Sequence, residues 1–250
     1  MNLFDMTLTK SAMLGESVKE YTLKEANNIA AAVKEAKELA KAQIETLGER
    51  IRKELPEVSE SIINKIKGNI VEGLMDSVFK KQGWVKLEGE YGVNGIDGLY
   101  IKRNKDGVIV DVLICESKYN TSKLGTTNDG KQMSKEWILS KLDTLIEKYP
   151  DNKEYAQIKK MVENDNYRPR LIQVKEINGK LQIEFYKVDS DGNLIPLNGR
   201  ENYKSNGLKI DLNNPETSYE TEVAETYDKI VQDEIEKYKN KKEDNHEKTA

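Results

Sequence analysis

Residues 108–115 read VIVDVLIC, seven apolar side chains in eight positions. A run that short and that continuous is a strand covered on both faces, so the chain has to supply a layer on each side of a sheet. The preceding stretch, GIDGLYIKRNKDG, reads as the partner strand of a hairpin, with Asp106-Gly107 as a two-residue turn. Side chains alternate along a strand. One face therefore takes Val108, Val110, Val112, Ile114, Glu116 and Lys118, and the other takes Ile109, Asp111, Leu113, Cys115, Ser117 and Tyr119. Glu116 and Lys118 extend a buried row, and the two-residue turn sets Asp97 directly opposite Glu116. A three-residue loop through Lys105 with a glycine bulge would shift that pairing by one unless it were compensated farther along.

Two carboxylates about 4 Å apart repel by ~4 kcal/mol at an effective dielectric near 20, which is too much for a marginally stable fold to carry uncompensated. One of them is protonated, or Lys118 neutralises one, or a cation bridges them. The ligands are all oxygen, and Gly95 and Gly98 let the backbone pass close, so a hard ion such as Mg²⁺, with Mn²⁺ as the alternative, suits the pair. Such an ion polarises a phosphoryl group and activates water, and a nearby lysine stabilises the developing charge.

The residues the chain lacks narrow the chemistry further. It has one cysteine, Cys115, and one histidine, His246, the latter in the hydrophilic run KNKKEDNHEKTA. No internal disulfide, Cys-rich zinc site, Ser-His-Asp triad or HExxH site can be assembled from that inventory. No apolar run approaches the roughly 20 residues that span a bilayer, and the N-terminus lacks a cationic region followed by an apolar core, so a cytoplasmic site of synthesis is expected.

Around the hairpin the pattern alternates between helix and strand. Ile29, Val33, Ala36, Ala40, Ile44, Leu47, Ile51 and Leu55 recur at a helical period, and Pro56 breaks it. A second helix is expected in EVSESIINKIKGNIVEGLMDSVFKKQG, with Gly68 as a joint and Gly83 as its stop. WVKLEGEYG reads as a first strand and TSKLGTTNDGK as a polar loop. QMSKEWILSKLDTLIEKY reads as a helix through Met133, Trp137, Leu142 and Leu145. RLIQVKEI and LQIEFYKV flank the hairpin signal NGK. The expected fold is α/β, a mixed central sheet flanked by helices, with a helical N-terminal extension over 1–56, a core over 57–205, and a charged helix and disordered tail over 206–250. The net charge of −4 conceals −5 between Glu216 and Ala250, so the rest of the chain is close to neutral.

The acid in GID, ESK as Glu-x-Lys nineteen residues on, a preceding helix with the glutamate of NIVEGLMDS, and a following helix that opens with glutamine resemble the PD-(D/E)XK nuclease superfamily. The phrase ESKYNTSKLGTTNDGKQMSKEWI further resembles nuclease toxin modules of bacterial polymorphic and contact-dependent inhibition systems. The likeness covers 59–188, with isoleucine in place of proline before Asp97. It implies a restriction-endonuclease-like core in which Asp97 and Glu116 hold the metal with the Ser117 carbonyl. Glu72 would hold the ion or orient water beside it, Lys118 would position the nucleophile or stabilise the phosphorane, and Gln132 would support the site. Asp76, Glu88 and Glu90 are alternatives to Glu72.

Between Lys118 and Lys141 five lysines face two acids, a balance that suits a phosphate backbone. Lys123, Thr126, Thr127, Lys131 and Lys135 are the candidate contacts. The likeness implies a Mg²⁺-dependent endonuclease, DNA before RNA, acting as an antibacterial toxin. It would be made in a bacterial cytoplasm, delivered to a target cell and paired with a cognate immunity protein. The N-terminal helices would serve delivery or self-association. A non-catalytic nucleic-acid-binding or helical interaction protein is the other class of reading, and a restriction or repair nuclease is the alternative among enzymes.

Overall fold

A computed structural model describes residues 46–87, 95–177, 180–196 and 208–247, with Asn27 and Ala31 as isolated helical positions. Two compact units divide between Glu45 and Thr46. The first holds only those two isolated positions among its described residues, so most of the N-terminal apolar stripe, any self-association through it, and the alternative acids Glu88 and Glu90 lie outside the described residues. The second unit begins at Thr46, eleven residues before the expected core.

That unit opens with α1 (Leu47–Glu54) and α2 (Glu60–Lys81), followed by β1 (Val85–Lys86), β2 (Gly98–Arg103) and β3 (Ile109–Tyr119). A small hairpin of β4 (Thr126–Thr127) and β5 (Gly130–Lys131) precedes α3 (Lys135–Lys148) and α4 (Lys153–Glu163). The strands β6 (Arg168–Ile177), β7 (Lys180–Val188), β8 (Leu194–Pro196) and β9 (Leu208–Asp211) lead to the long helix α5 (Ser218–Glu247). The sheet runs β1-β2-β3-β6-β7-β8, with β9 sharing the β8 edge of β7. Among the described residues only β3 and β6 are parallel, because α3 and α4 cross between them; the other pairs are antiparallel. The α/β class, mixed sheet and flanking helices are as the sequence indicates.

The both-faces-covered reading of β3 holds. Leu113 and Cys115 pack with Tyr100 against Val71, Leu74, Met75 and Val78 of α2 and Val223 of α5. Val112 and Ile114 pack with Leu99 and Ile101 against Trp137, Ile138 and Leu142 of α3 and Ile158 of α4. Each such fully buried side chain contributes about 1.5–3 kcal/mol. A third cluster joins Leu47, Ile51 and Leu55 to Ile63, Ile66 and Ile70 of α2 and Val231 and Ile235 of α5. Residues 46–55 and the C-terminal segment are therefore part of the core, and the boundaries expected at 56 and 205 fall inside it. The helix α5 runs to Glu247, taking up most of the stretch where a disordered tail is expected after the helix.

The termini of the helices follow their cap chemistry. Thr46 and Glu49 form a reciprocal capping box at α1. The helix α2 passes unbroken through Gly68 and stops where Gly83 takes φ +78°, with Trp84 N–H donating to Phe79 O and Gly83 N–H to Lys80 O. Ser134 caps α3 through Trp137 N–H at 3.2 Å. The segment after Tyr149 is a separate helix, α4, which the sequence reading passes over despite an Asn152 cap and buried Tyr155, Ile158 and Val162 at helical spacing.

Candidate active site

The hairpin reaches the expected register by an unexpected route. Its connection is a three-residue loop, with Asn104 N–H donating to Val108 O and Gly107, at φ +80°, donating to Asn104 O. This glycine turn shifts the pairing by one, so that Arg103 meets Ile109. A bulge at Val110 shifts it back, and Lys102 meets Asp111 and Gly98 meets Cys115. The bulge also swaps the faces at the tip: Ile109 is buried beside Val112 and Ile114, while Val108 and Val110, expected in the buried row, are about half exposed.

The strand β3 outruns β2. Beyond Cys115 it is paired only on the β6 side, where Glu116 meets Leu171 and Lys118 meets Gln173. On the open side Asp97 Oδ2 accepts from Ser117 N–H at 2.9 Å and from Ser117 Oγ at 3.0 Å. The carboxylate thus takes the ladder amide that β2 leaves unpaired. Ser117, expected to lend its carbonyl, meets Asp97 through its amide and hydroxyl.

Glu116 is 2% exposed. Its Oε1 accepts from Lys118 Nζ at 2.5 Å and from Gln132 Nε2 at 3.3 Å. Its Oε2 is buried with no hydrogen-bond partner among the described residues. Burial, and then the charge of Asp97, push the Glu116 carboxyl up to about 7, against the pull of Lys118. Glu72, half-buried on α2, is likewise pushed up to about 7, first by burial and then by Asp97, with Lys86 opposing. Glu72 in turn raises Glu116, so three carboxyls from α2, the β2 entry and β3 share one electrostatic field.

Asp76, the alternative to Glu72, is otherwise engaged. It accepts from Lys86 Nζ at 2.9 Å and from the buried hydroxyl of Tyr100. This network pins α2 to β1 and β2 one turn beyond Glu72. Tyr100 also lies against Gly98, where an added Cβ would stand 2.8 Å from its hydroxyl oxygen and 2.9 Å from Met75 Cε. Gly98 is therefore needed for close approach, directly after the acid Asp97. No motif marks Tyr100 or Lys86, and the close spacing of Gly98 and Tyr100 is the one local signal of this contact.

Gln132 is not the first residue of a helix. Met133 takes φ +67°, outside helical space, and α3 begins only at Lys135. Gln132 stands in the turn before it and braces the β4 loop, accepting from Gly125 N–H at 2.8 Å through Oε1 while Nε2 reaches Glu116. The polar loop of the sequence reading contains the β4-β5 hairpin, which Thr127 Oγ1 stiffens by donating to Gly130 O.

The candidate phosphate contacts divide. Lys123 and Thr126 are exposed. Lys131 Nζ donates to Asn193 Oδ1 at 2.7 Å, and Lys135 Nζ to Asp165 Oδ1 at 2.6 Å and Glu163 O at 2.9 Å. Those two lysines tie the turn before α3 to its neighbours.

Among the described residues no three His, Cys, Asp or Glu side chains converge as a ready metal cage. The donors nonetheless fit a hard cation: they are all oxygen, one carboxylate oxygen is buried and unpartnered, and the recorded bonds of Asp97 use only Oδ2. No described helix is long and apolar enough to cross a membrane. Searches of protein-family models, curated proteins and solved structures returned no match to this chain.

Proposed function

We propose that the chain is a divalent-metal-dependent nuclease of the PD-(D/E)XK type that hydrolyses phosphodiester bonds in nucleic acid, DNA before RNA. The observation that carries this reading is Glu116: a buried carboxylate with one oxygen on Lys118 and the other, among the described residues, unpartnered. A structural ion pair would be expected to satisfy both oxygens, since an unpaired buried acceptor costs about 1–3 kcal/mol. An arrangement that accepts this cost beside two further acids suits a site built for a cation.

Glu116 and Asp97 would hold Mg²⁺ or Mn²⁺, with Glu72 on its α2 side. The ion would supply positive charge to a phosphate oxygen and lower the cost of ionising water. Lys118, whose ammonium lies on Glu116, would stabilise the charge that builds on the non-bridging phosphate oxygens as a water oxygen attacks and the bond to the departing sugar oxygen breaks. Glu72, half-buried on α2 beside the other two acids, would take the proton that water gives up, while solvent protonates the leaving oxygen. Gln132 holds Glu116 in orientation and ties it to the β4 loop.

Purified protein incubated with supercoiled plasmid and with RNA, with Mg²⁺, Mn²⁺ or chelator, tests the reading. Cutting that needs the ion and disappears in Glu116→Ala supports it. A second reading, a binding module on the same fold, draws on the engagement of Glu116 by Lys118 and Gln132, which would suit a structural ion pair. Nucleic acid that is bound but never cut, with any ion, would establish that one instead.

A further inference from the structure

Of the lysines picked out by the sequence around α3, Lys131 and Lys135 are held by Asn193 and Asp165 and Lys123 alone stays exposed, too little positive surface for a strand, and a second cluster lies between α2 and α5. One groove of about 280 Å³ lies between α2 and α5, lined by Lys65, Asn69, Glu234, Lys237, Tyr238 and Lys241 among others. Glu234 is already held there by Asn69 Nδ2 at 3.0 Å and by Lys237. Three lysines against one glutamate leave the groove at +2. Lys65, Lys237 and Lys241 are exposed, and among the described residues neither Lys65 nor Lys241 has an acidic partner. Tyr238 packs on the Ile66–Ile235 cluster and fixes the wall of the groove.

Its position relative to the acids gives the groove meaning. Lys65, Asn69 and Glu72 are spaced by four and three residues, one face of one helix. Lys65 therefore stands about 10 Å along the α2 axis from Glu72, roughly three nucleotide steps of a duplex strand. We propose that the α2–α5 groove is a nucleic-acid phosphate-backbone site, in which Lys65, Lys237 and Lys241 lead the substrate strand to Glu72. Lysine ammonium groups act as point charges without base selectivity, so the groove holds the backbone and does not read sequence. This assignment rests on the nuclease reading for its substrate, and binding and cutting are separable in its test.

Fluorescence anisotropy with a labelled DNA duplex and a labelled RNA duplex, in chelator between 50 and 200 mM salt, measures the contribution of the groove. Each lysine lost from a phosphate contact lowers the salt slope by about 0.9. The variant Lys65→Ala/Lys237→Ala/Lys241→Ala should lose roughly 2–3 from the slope and bind at least about tenfold more weakly at 100 mM salt. Its urea midpoint should stay unchanged, because the three side chains are exposed. The same positions changed to arginine should retain both affinity and slope, and the control Lys80→Ala/Lys153→Ala should behave as wild type. A triple alanine variant with the wild-type slope, or a control that loses as much, overturns the groove assignment. If wild type cuts plasmid with Mg²⁺ and the triple variant cuts with unchanged KM, the groove falls and the nuclease stands. If wild type never cuts but binding depends on the three lysines, the groove stands and the nuclease falls. Wild type that binds neither duplex overturns both, and the two arms together decide between DNA and RNA.

Discussion

Glu116→Gln should stabilise the ion-free protein at alkaline pH while abolishing its activity. The Glu116 carboxyl is pushed from 4.5 to about 7 in the folded chain. Below the unfolded value both states carry the proton and the folded state keeps its full advantage. Between 4.5 and 7 the unfolded chain ionises and the folded chain does not, so stability falls; above 7 both are ionised and the loss is complete. At 1.36 kcal/mol per unit the loss is on the order of 3 kcal/mol. Glutamine has nearly the same shape, keeps an oxygen for Lys118 and does not titrate, so the variant escapes the fall. In urea unfolding with chelator, its advantage over wild type should be larger at pH 8 than at pH 5 by about 2–3 kcal/mol, a midpoint difference of roughly 1 M at ordinary slopes. A variant that is destabilised equally at both pH values would refute the reasoning. It would show that the pair with Lys118 outweighs burial and Asp97, and that Glu116 is a structural anion.

Divalent ions should restore what ionisation removes. Mg²⁺ should raise the thermal midpoint of wild type at pH 8, by the equivalent of about 2.7 kcal/mol at a hundredfold excess over its dissociation constant. The shift should shrink at pH 5.5 and vanish in Glu116→Gln; an equal shift in the variant would place the ion elsewhere. Gly98→Ala should cost about 1–3 kcal/mol, because its Cβ meets Tyr100 and Met75, and should reduce cutting more than folding. Full activity in a folded Gly98→Ala would remove the link between that close approach and Asp97. Expression of wild type in a bacterial cytoplasm should lower viability and expression of Lys118→Ala should not; equal growth of both would argue against the toxin role.

Much of the fold can be read from single segments, where local chemistry and tertiary packing agree. The strand VIVDVLIC needs cover on both faces and has it, and Gly83 stops α2 because only a left-handed residue closes that helix end. The hairpin tip shows where such reading fails. Asp-Gly favours a two-residue turn, but Asn104 Oδ1 accepts from the Asp106 and Val108 amides and stabilises the longer loop instead. The resulting shift would have turned the row of Val112 and Ile114 out of the core, so burial farther along the strand enforces the compensating bulge at Val110. A window of a few residues contains the first preference and not the second. The strand β9 and the packing of α5 on α2 were illegible for the same reason, since their partners lie far away in sequence.

The candidate site follows from an inequality of length that no motif states. Because β3 extends past the start of β2, its last residues are buried by one neighbour and open on the other side. A fully paired strand would satisfy the Ser117 amide by backbone and leave no place for Asp97. A strand unpaired on both sides would expose Glu116 and relax its carboxyl to an ordinary value. Only the half-paired overhang lets Asp97 bind the amide while Glu116 stays buried with one oxygen unmet. The same geometry decides between the two acids of α2. Asp76 lies alongside paired β-structure and is consumed by Tyr100 and Lys86, whereas Glu72, one turn nearer the overhang, is the one that feels Asp97 most among its charged neighbours.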